Sequence, residues 1–261
     1  MEQLITSRDN KYVKLTKSLH TKQGRDKESL FMIEGYRNVR DAASKGAEIE
    51  FVLVSDKCNY DLSELKKYPM FTLAPRIFDY VSDTVTPQGV LCVCKMREIS
   101  FSDINLSDNS LVVVCENLQD PGNAGTIIRS ADAAGAACVI MTKGSVDIYN
   151  PKITRSLMSS LFSVKVIRNK NIDSVFGFLK NNGIKSVAGA LVKDSVNLFD
   201  CDMQGRCAIF IGNEGNGLTP DTIKRCDETV TIPILGGAES LNASGAATVM
   251  MYEHVRQNMK K

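Results

Sequence analysis

The chain has 261 residues, of which 43% are hydrophobic and 24% charged, and its net charge is +2. This length allows one large domain or two of ordinary size, and the composition is typical of a protein that folds around an apolar core. No apolar run is long enough for a transmembrane helix, and the N-terminal segment lacks the apolar stretch of a secretory signal. A membrane-spanning or exported protein is therefore not expected.

The eight cysteines and two histidines do not form a metal-binding pattern. The cysteines are scattered and include no Cys-x-x-Cys pair, so neither structural zinc nor any other metal is expected. Cys92 and Cys94 lie two positions apart in a strand-like run, and we expect their side chains on opposite faces. Free thiols in a reducing cytoplasm fit this distribution best.

Positive charge is concentrated near the N-terminus, where residues 1–25 hold six of the 32 Lys and Arg but only two of the 30 Asp and Glu. The pattern from Asn10 to Leu19 is helical. Its apolar residues share one face, namely Tyr12, Leu15 and Leu19. Its lysines lie on another face, namely Lys11, Lys14 and Lys17. A basic helix face can contact phosphates or can be merely solvated, and the charge alone favours the second alternative.

Residues 30–95 alternate between strand and helix patterns, which predicts a small α/β domain. The predicted strands are 30–34, 50–55, 70–73 and 89–95, and the predicted helices are 37–45, 61–67 and 75–82. The polar stretch 96–109 has no strong period and is predicted to be a linker. The boundaries are therefore 1–95 for the first domain, 96–109 for the linker and 110–261 for the second domain.

Three apolar strands of the second domain are each followed by a polar loop and a helix start. The first, 111–115, precedes a loop with Asn117, Asp120 and Asn123, in which Pro121 marks the helix start. The second, 208–211, precedes a Gly-rich loop with Glu214, and the third, beginning at residue 230, precedes a loop with Ser240 and Asn242. Ligands of α/β proteins bind where strands end and helices begin, so three such loops predict one site. Further strands are predicted at 137–141, 164–167 and 186–191, and further helices at 151–162, 172–181 and 242–260.

In order, these loops resemble the three motifs of the SpoU (TrmH) family of RNA ribose 2′-O-methyltransferases, within the SPOUT superfamily. The first family motif has an Asn followed six residues later by an Arg, as Asn123 and Arg129 are here. The second is Gly-x-Glu-Gly-x-Gly, here 212–217, and the third is Ser-Leu-Asn-x-Ser, here 240–244. The resemblance extends over about 111–257, and the opening residues with the phrase FMIEGYRNVRDA resemble the RNA substrate-binding domain that many members carry.

The resemblance implies an α/β fold with a parallel sheet and a deep trefoil knot in the second domain. The first domain is expected to be a small α/β domain like the ribosomal proteins that bind RNA. The implied cofactor is S-adenosylmethionine, the implied substrate is RNA, and the N-terminal domain favours rRNA over tRNA. A homodimer through the C-terminal domain, packed near the cofactor site so that Arg129 could serve the partner's site, is also implied. The residues themselves contain no dinucleotide fingerprint, no Walker A sequence and no Ser-His-Asp arrangement.

Arg129 is the main catalytic candidate that the resemblance implies. Because a guanidinium group stays protonated at neutral pH, it is a poor general base, and we expect it to bind the target phosphate and to stabilise the developing alkoxide. The other candidate catalytic residues are Asn123, Glu214, Ser240 and Asn242. Alternatives remain open: Asn123 could cap its helix, Ser240 or Asn242 could cap the last helix, and Glu214 could orient the amide of Asn123 or Asn242.

The cofactor is expected to lie against the loops that follow three strands. The implied contacts are Ala190, Leu191, Gly212, Asn213, Gly217, Ile232, Leu241 and Ala246. The candidate RNA contacts are basic residues on the N-terminal helix, after the first strand and on the helix from Pro151, namely Arg8, Lys11, Lys14, Arg37, Lys152 and Arg155. For Glu34, an RNA-facing position and a helix-capping role are both open, and Lys152 and Arg155 could equally form a solvated surface.

Two other functions remain open at this point. One is a non-catalytic RNA- or ribosome-binding protein with the same fold, which would bind RNA tightly without binding the cofactor. The other is a methyltransferase that protects one rRNA nucleotide from an antibiotic. The sequence does not predict which nucleotide is modified, or whether free RNA or an assembled ribosomal subunit is the substrate.

Overall fold

The computed structural model describes residues 4–157 and 160–259. These residues form two compact units. The first comprises the chain up to Arg97 together with the segment 147–162, and the second comprises 98–146 together with the chain from Ser163 onward. The domains predicted from the sequence are continuous stretches, whereas each of these units is built from two separate stretches.

The strands form one sheet in each unit. In chain order they are β1 (Leu30–Glu34), β2 (Ile49–Ser55), β3 (Met70–Leu73), β4 (Val90–Lys95), β5 (Leu111–Cys115), β6 (Cys138–Thr142), β7 (Val166–Lys170), β8 (Lys185–Gly189), β9 (Val196–Asn197), β10 (Cys207–Ile211) and β11 (Glu228–Thr231). The first unit has a four-stranded sheet of order β1-β4-β2-β3, in which β4 is antiparallel to both neighbours and β3 is parallel to β2. The second unit has a seven-stranded sheet of order β7-β6-β5-β10-β8-β11-β9, in which every pairing is parallel.

The helices follow most of the predicted positions. In chain order they are α1 (Lys11–Ser18), α2 (Lys22–Glu28), α3 (Tyr36–Ser44), α4 (Pro75–Val81), α5 (Pro121–Ala133), α6 (Pro151–Leu157), α7 (Ser160–Ser163), α8 (Ile172–Asn181), α9 (Pro220–Arg225) and α10 (Ala243–Asn258). The helix predicted at 61–67 is only a short 3-10 turn, Ser63–Leu65. Within the single helix predicted at 151–162 the structure describes α6 and α7, and residues 158 and 159 between them lie outside the described residues, as does residue 260 at the predicted end of the last helix.

Helix α1 packs on the core of the first unit through the predicted apolar face. Asn10 caps it by accepting a hydrogen bond from the Tyr12 N–H at 2.9 Å. The Tyr12 ring stacks on Phe71 with centroids 3.9 Å apart and meets the edge of Phe51 at 5.0 Å. Leu19 is completely buried. The lysine face is therefore turned away from this core.

The expectation that Cys92 and Cys94 face opposite sides of their strand is wrong. Side chains of a strand alternate with a period of two, so residues two apart share a face. Both cysteines are buried in β4, and their sulfur atoms lie 3.6 Å apart. All eight cysteines carry free thiols.

The segment 147–162 is held in the first unit by a buried ion pair. The Arg25 side chain is almost fully buried and donates from Nε and Nη2 to Oδ2 of Asp147, at 3.0 and 2.7 Å. Its Nη1 donates to the carbonyl oxygens of Leu19 and His20 at 2.7 and 3.1 Å. The Tyr149 ring packs against Phe31, with centroids 4.5 Å apart. The stretch joins the N-terminal unit because Asp147 pairs with the buried Arg25 guanidinium and because Tyr149 packs against Phe31.

The parallel sheet of the second unit explains the continuous apolar runs in the sequence. Every residue of β5 and of β10 is buried, as is usual for parallel strands that are covered on both faces. The predicted linker contributes to this core, because Ile104 is buried and the Phe101 ring stacks on Phe178 at 4.6 Å. The predicted α/β fold with a parallel sheet is confirmed. The trefoil knot is consistent with this strand order and stays a prediction.

Helix α10 is tied at its C-terminal end to the segment 201–205. Gln257 accepts from the Met203 N–H at 2.8 Å and donates to the Cys201 carbonyl at 2.9 Å. Asn258 accepts from the Gly205 N–H at 2.9 Å and donates to the Met203 carbonyl at 3.0 Å. These bonds satisfy four backbone groups of a segment that lies outside regular structure.

Candidate active site

A cleft of about 480 Å³ lies at the C-terminal ends of β8, β10 and β11 in the second unit. These strands are neighbours and parallel, so the loops that follow them meet at one edge of the sheet. The cleft is lined by all eight residues predicted to hold the cofactor: Ala190, Leu191, Gly212, Asn213, Gly217, Ile232, Leu241 and Ala246. Two of the five catalytic candidates, Glu214 and Ser240, also line it.

The loop after β10 is a tight hairpin that only glycine permits at its base. The backbones of Asn213 and Gly217 exchange two hydrogen bonds, of 3.0 and 2.8 Å. A Cβ atom on Gly212 would lie 2.1 Å from the carbonyl carbon of Gly217 and 2.2 Å from the nitrogen of Leu218. Both are backbone atoms, so a side chain at position 212 would force the loop open. Gly212 of the second motif therefore sets the shape of the cleft floor.

Glu214 joins this hairpin to the loop after β5. Its carboxylate accepts from the Asp120 N–H at 2.9 Å, the Asn123 side-chain amide at 3.1 Å and the Gln119 N–H at 3.2 Å. Partial burial acts to raise the pKa of Glu214, but the hydrogen bonds from Asp120, its own N–H, Asn123 and Gln119 outweigh it and hold the pKa below its usual value. Glu214 is therefore an ionised carboxylate at neutral pH and serves as a hydrogen-bond acceptor.

The helix-capping alternative for Asn123 is wrong. Asp120 caps α5 by accepting from the Asn123 N–H at 2.7 Å, and the Asn123 side chain is buried and donates to Glu214. Of the two amides considered for Glu214, the Asn123 amide is the one bonded. Asn117 shapes the same loop: its φ is 51°, and its carbonyl accepts from the Asn213 side chain at 3.0 Å. Loop geometry thus accounts for these polar residues.

Asn242 caps the last helix, which confirms the capping alternative for this residue. Its Oδ1 accepts from the N–H and the hydroxyl of Ser244, at 2.9 and 2.7 Å. Asn242 and Ser240 are both exposed, and Ser240 lines the cleft whereas Asn242 does not. Ser240 does not cap α10, so its hydroxyl remains available at the rim.

Arg129 does not line the cleft of its own chain. It is exposed on α5, more than two turns beyond the helix start, and has no hydrogen-bond or ion-pair partner in the part of the chain that is described. Helix α5 packs against α10, and the hydroxyls of Ser130 and Thr248 lie 2.8 Å apart between them. The structure therefore bonds Asn123 to Glu214, whereas Arg129 is bonded to neither of them in the described residues.

Glu116 is a further site residue that was missed in the sequence. Its buried carboxylate accepts from the Thr219 N–H at 2.9 Å, the Thr219 hydroxyl at 3.0 Å and the Thr222 hydroxyl at 2.7 Å. It thereby fixes the end of the Gly-rich loop to the end of β5. The only signal in the sequence is an acidic residue directly after a fully apolar strand.

The basic RNA candidates of the first unit differ in their surroundings. The Arg8 guanidinium lies 4.3 Å from the Tyr80 ring centroid, and the Lys17 ammonium lies 4.9 Å from the same centroid. Lys14 pairs with Asp9 at 2.8 Å. Lys11, Arg37 and Lys152 are exposed.

Arg155 and Glu34 are engaged within the first unit. Arg155 forms an ion pair with Asp83, so its charge is already balanced. Glu34 is buried, accepts from the Asp83 N–H at 2.8 Å and is bonded to the hydroxyls of Ser82 and Thr84. Helix α3 is capped by Gly35 without a side-chain bond, so the capping role for Glu34 is wrong. The position of Glu34 near an RNA-facing edge stays a prediction.

The cleft suits a nucleoside cofactor such as S-adenosylmethionine. Its volume lies in the range of small-molecule sites, and its lining combines backbone groups of three loops with exposed apolar side chains. Leu191 is 65% exposed and Leu241 is 42% exposed, which leaves apolar surface free to cover an adenine ring. Among the described residues no cluster of three or more His, Cys, Asp or Glu is placed to hold a metal ion. None of the described helices is long and apolar enough to cross a membrane.

Comparison with known families agrees with this site. The profile of the SpoU rRNA Methylase family matches residues 110–252, which include all three motifs and every loop of the cleft. The chain belongs to this family. The profile of the MRM3-like substrate binding domain matches residues 10–92, which contain the four-stranded sheet of the first unit.

Individual members of the SpoU family are similar to this chain over nearly its whole length. It is 34% identical to 23S rRNA (guanosine(2553)-2′-O)-methyltransferase RlmP of Bacillus subtilis, over 97% of this chain and 98% of the relative. It is 30% identical to 23S rRNA (uridine(2479)-2′-O)-methyltransferase of Streptomyces viridochromogenes, over 98% of this chain and 92% of the relative. The crystal structure of an AdoMet-bound rRNA methyltransferase from Sinorhizobium meliloti superposes with a TM-score of 0.89 at 26% identity, covering 99% of each chain.

Proposed function

We propose that this protein transfers a methyl group from S-adenosylmethionine to the ribose 2′-hydroxyl of an rRNA nucleotide. The observation that carries the proposal is the cleft, in which all eight predicted cofactor contacts converge at one edge of the parallel sheet. The relatives that match nearly the whole chain carry this activity in their names. They differ in the nucleotide that they modify, so the target nucleotide is not carried over to this chain.

S-adenosylmethionine supplies a methyl group that its sulfonium has already activated, so the protein chiefly aligns the reacting atoms. The backbone of the hairpin 212–217 and the apolar side chains of Leu191 and Leu241 would hold the cofactor. Glu214 bonds the hairpin to the loop after β5, and Glu116 bonds the residues that follow the hairpin. Ser240 at the rim would contact the substrate ribose or phosphate, and Asn242 would fix the loop that carries Ser240.

We also propose that the enzyme is a homodimer in which Arg129 serves the cleft of the partner subunit. Arg129 is exposed, has no partner in the described part of the chain and is absent from its own cleft. If a second copy packed on α5 and α10, the Arg129 guanidinium could reach the cleft of that copy. Arg129 would then bind the substrate phosphate and stabilise the developing alkoxide.

RNA would contact the first unit along its basic surface. Arg8 and Lys17 concentrate two positive charges around the Tyr80 ring, and Lys11 and Arg37 are exposed. Arg155 is not part of this proposal, because its charge is paired with Asp83. We propose a cytoplasmic location, where the eight free thiols would persist. The domain division 1–95, 96–109 and 110–261 is proposed as the division into RNA-binding domain, linker and methyltransferase domain.

The test is transfer of labelled methyl groups from S-adenosylmethionine to purified rRNA. A 2′-O-methyl group protects the adjoining phosphodiester from alkaline cleavage, so the modified position shows as a gap in an alkaline ladder. Gly212→Trp, which fills the hairpin base, is expected to abolish both cofactor binding and transfer. Tight rRNA binding by the wild type without cofactor binding or methyl transfer would favour a non-catalytic RNA-binding protein instead.

Mixing two inactive variants tests the placement of Arg129. A heterodimer of Arg129→Ala and Gly212→Trp subunits contains one complete site only if Arg129 acts on the partner's cleft. After random mixing, half of the dimers are heterodimers, and one of the two sites in each heterodimer is complete. The mixture is then expected to regain about a quarter of the wild-type activity. No restoration in a mixture shown to exchange subunits would place Arg129 in the cleft of its own chain.

A further inference from the structure

Two tyrosines of the first unit form a stacked pair outside its core. The rings of Tyr36 and Tyr60 are nearly parallel, at 7°, with centroids 4.4 Å apart. Tyr60 is 45% exposed, whereas the core of this unit is built by other aromatic residues, such as Phe51 and Phe78. A large aromatic ring stacked at the surface presents its outer face to solvent, which is an arrangement suited to further stacking.

The inner ring of the pair is fixed at both ends. The Tyr36 hydroxyl donates to the carbonyl oxygen of Asp61 at 2.9 Å, and its backbone N–H donates to Oε1 of Gln88 at 2.9 Å. Because Asp61 follows Tyr60 in the chain, the first of these bonds also holds the loop that carries the outer ring. Tyr60 is therefore presented on a prepared support, which lowers the entropy lost when a ligand stacks on it.

The charges beside the pair suit a phosphate backbone. The Arg40 guanidinium lies 5.8 Å from the Tyr36 ring centroid, and Arg37 is exposed on the same helix with no polar partner in the described residues. Asp61, the acid next to Tyr60 in the chain, is occupied: its carboxylate accepts from the Ser63 N–H at 3.0 Å and from the Ser63 hydroxyl at 3.1 Å. Two arginines beside an exposed aromatic face are a combination that binds unpaired nucleotides.

We propose that Tyr36 and Tyr60 form a platform on which one unpaired rRNA base stacks, with Arg37 and Arg40 contacting the adjoining phosphates. The proposal rests on the proposed function, since it requires an RNA substrate. It assigns a binding role to Tyr60, which none of the sequence motifs includes. A base in a duplex cannot present its face to the platform, so the platform selects single-stranded loops or bulges.

The absence of tryptophan from the chain provides a direct reporter. In Tyr60→Trp the only tryptophan stands at the platform, and a base stacked on it quenches its fluorescence. We expect quenching on titration with purified 23S rRNA and none with a blunt RNA duplex. The matched control is Tyr68→Trp, a tyrosine of the same unit without a stacked ring among the described residues, and we expect its emission to change little.

Affinity measurements complete the test. Tyr60→Ala is expected to weaken binding of 23S rRNA about tenfold, within the range of losses found when a stacking side chain is truncated. Tyr60→Phe keeps the ring and is expected to bind as the wild type does. Neither change is expected to alter the affinity for S-adenosylmethionine, which is measured by calorimetry.

The outcomes separate the two proposals. If the wild type binds and methylates rRNA while Tyr60→Trp stays bright and Tyr60→Ala binds normally, the platform is refuted and the methyltransferase proposal stands. Equal quenching by duplex and by rRNA refutes the preference for an unpaired base. If the wild type neither binds nor methylates rRNA, the methyltransferase proposal fails, and the platform fails with it.

Discussion

Removing the Glu116 carboxylate should open the loop that forms the cleft floor. In the folded protein this group accepts three hydrogen bonds, two from Thr219 and one from the fully buried hydroxyl of Thr222. Hydrogen bonds to a charged group contribute about 1.5 to 3 kcal/mol each, but Thr219 is exposed and its groups can turn to water. Glu116→Ala should therefore cost about 3 kcal/mol, most of it local to the loop.

Hydrogen exchange followed by mass spectrometry measures this loss directly. The Thr219 amide is one of the donors, so a peptide that covers 212–225 reports on the bond. A loss of about 3 kcal/mol in opening free energy accelerates exchange roughly 100-fold. Glu116→Gln, which keeps one acceptor oxygen, should give a smaller effect, and the exposed Glu98→Gln serves as the control for loss of a charge in the same unit.

The same variant tests whether loop position governs cofactor binding. If Glu116 holds the hairpin in its binding shape, Glu116→Ala should weaken S-adenosylmethionine binding at least about tenfold, since the binding-ready loop becomes a minor population. Calorimetry measures the affinity of wild type, Glu116→Gln and Glu116→Ala for S-adenosylmethionine, and we expect the affinity to fall in that order. Unchanged exchange in 212–225 together with unchanged affinity would refute the argument that Glu116 positions the loop.

Three further outcomes follow from the same structure. Because the pKa of Glu214 lies below its ordinary value of 4.5, its carboxylate stabilises the fold fully above that value and loses the effect as pH falls through the lowered pKa. The melting temperatures of wild type and Glu214→Gln should therefore differ at pH 7 and converge in acid, and a gap that persists in acid would contradict this. Gly212→Ala should abolish cofactor binding in calorimetry, whereas Gly236→Ala, whose Cβ would meet nothing within 4 Å, should bind normally. Replacing Gln257 and Asn258 by alanine should each cost about 1 to 2 kcal/mol in urea unfolding and speed exchange in 201–205, and protection equal to wild type would show that these bonds do not hold the segment.

Much of the fold follows from local patterns that the sequence displays. The strands β5 and β10 were predicted from uninterrupted apolar runs, because parallel strands buried on both faces need them. Helix α2 was not predicted, since its sequence KQGRDKE has no apolar period and contains a glycine. The two-residue strand β9 is too short to leave a pattern.

The rest depended on contacts between distant positions. The assignment of 147–162 to the first unit rests on Arg25 and Asp147, which are 122 residues apart, and no local signal pairs them. In the loop after β5, Asp120 and Asn123 are both good capping residues, and only the three-dimensional structure shows which one caps. The motif residues of the cleft were predictable because the resemblance extends over all three loops. The resemblance also implied a dimer in which Arg129 serves the partner's site, and this stays a prediction.

The discontinuous first unit has a consequence for how the chain folds during synthesis. Its contiguous part ends at Arg97, but β1 is covered by α6, and Arg25 finds its carboxylate only when Asp147 has been made. Until residue 162 leaves the ribosome, Arg25 lacks the complete segment that carries its carboxylate partner, and β1 lacks the helix that covers it. Domains generally fold as they emerge, yet here the first unit has to wait until β5 and β6 of the second have been translated. Completion of the first unit is thereby coupled in time to synthesis of the first strands of the second unit.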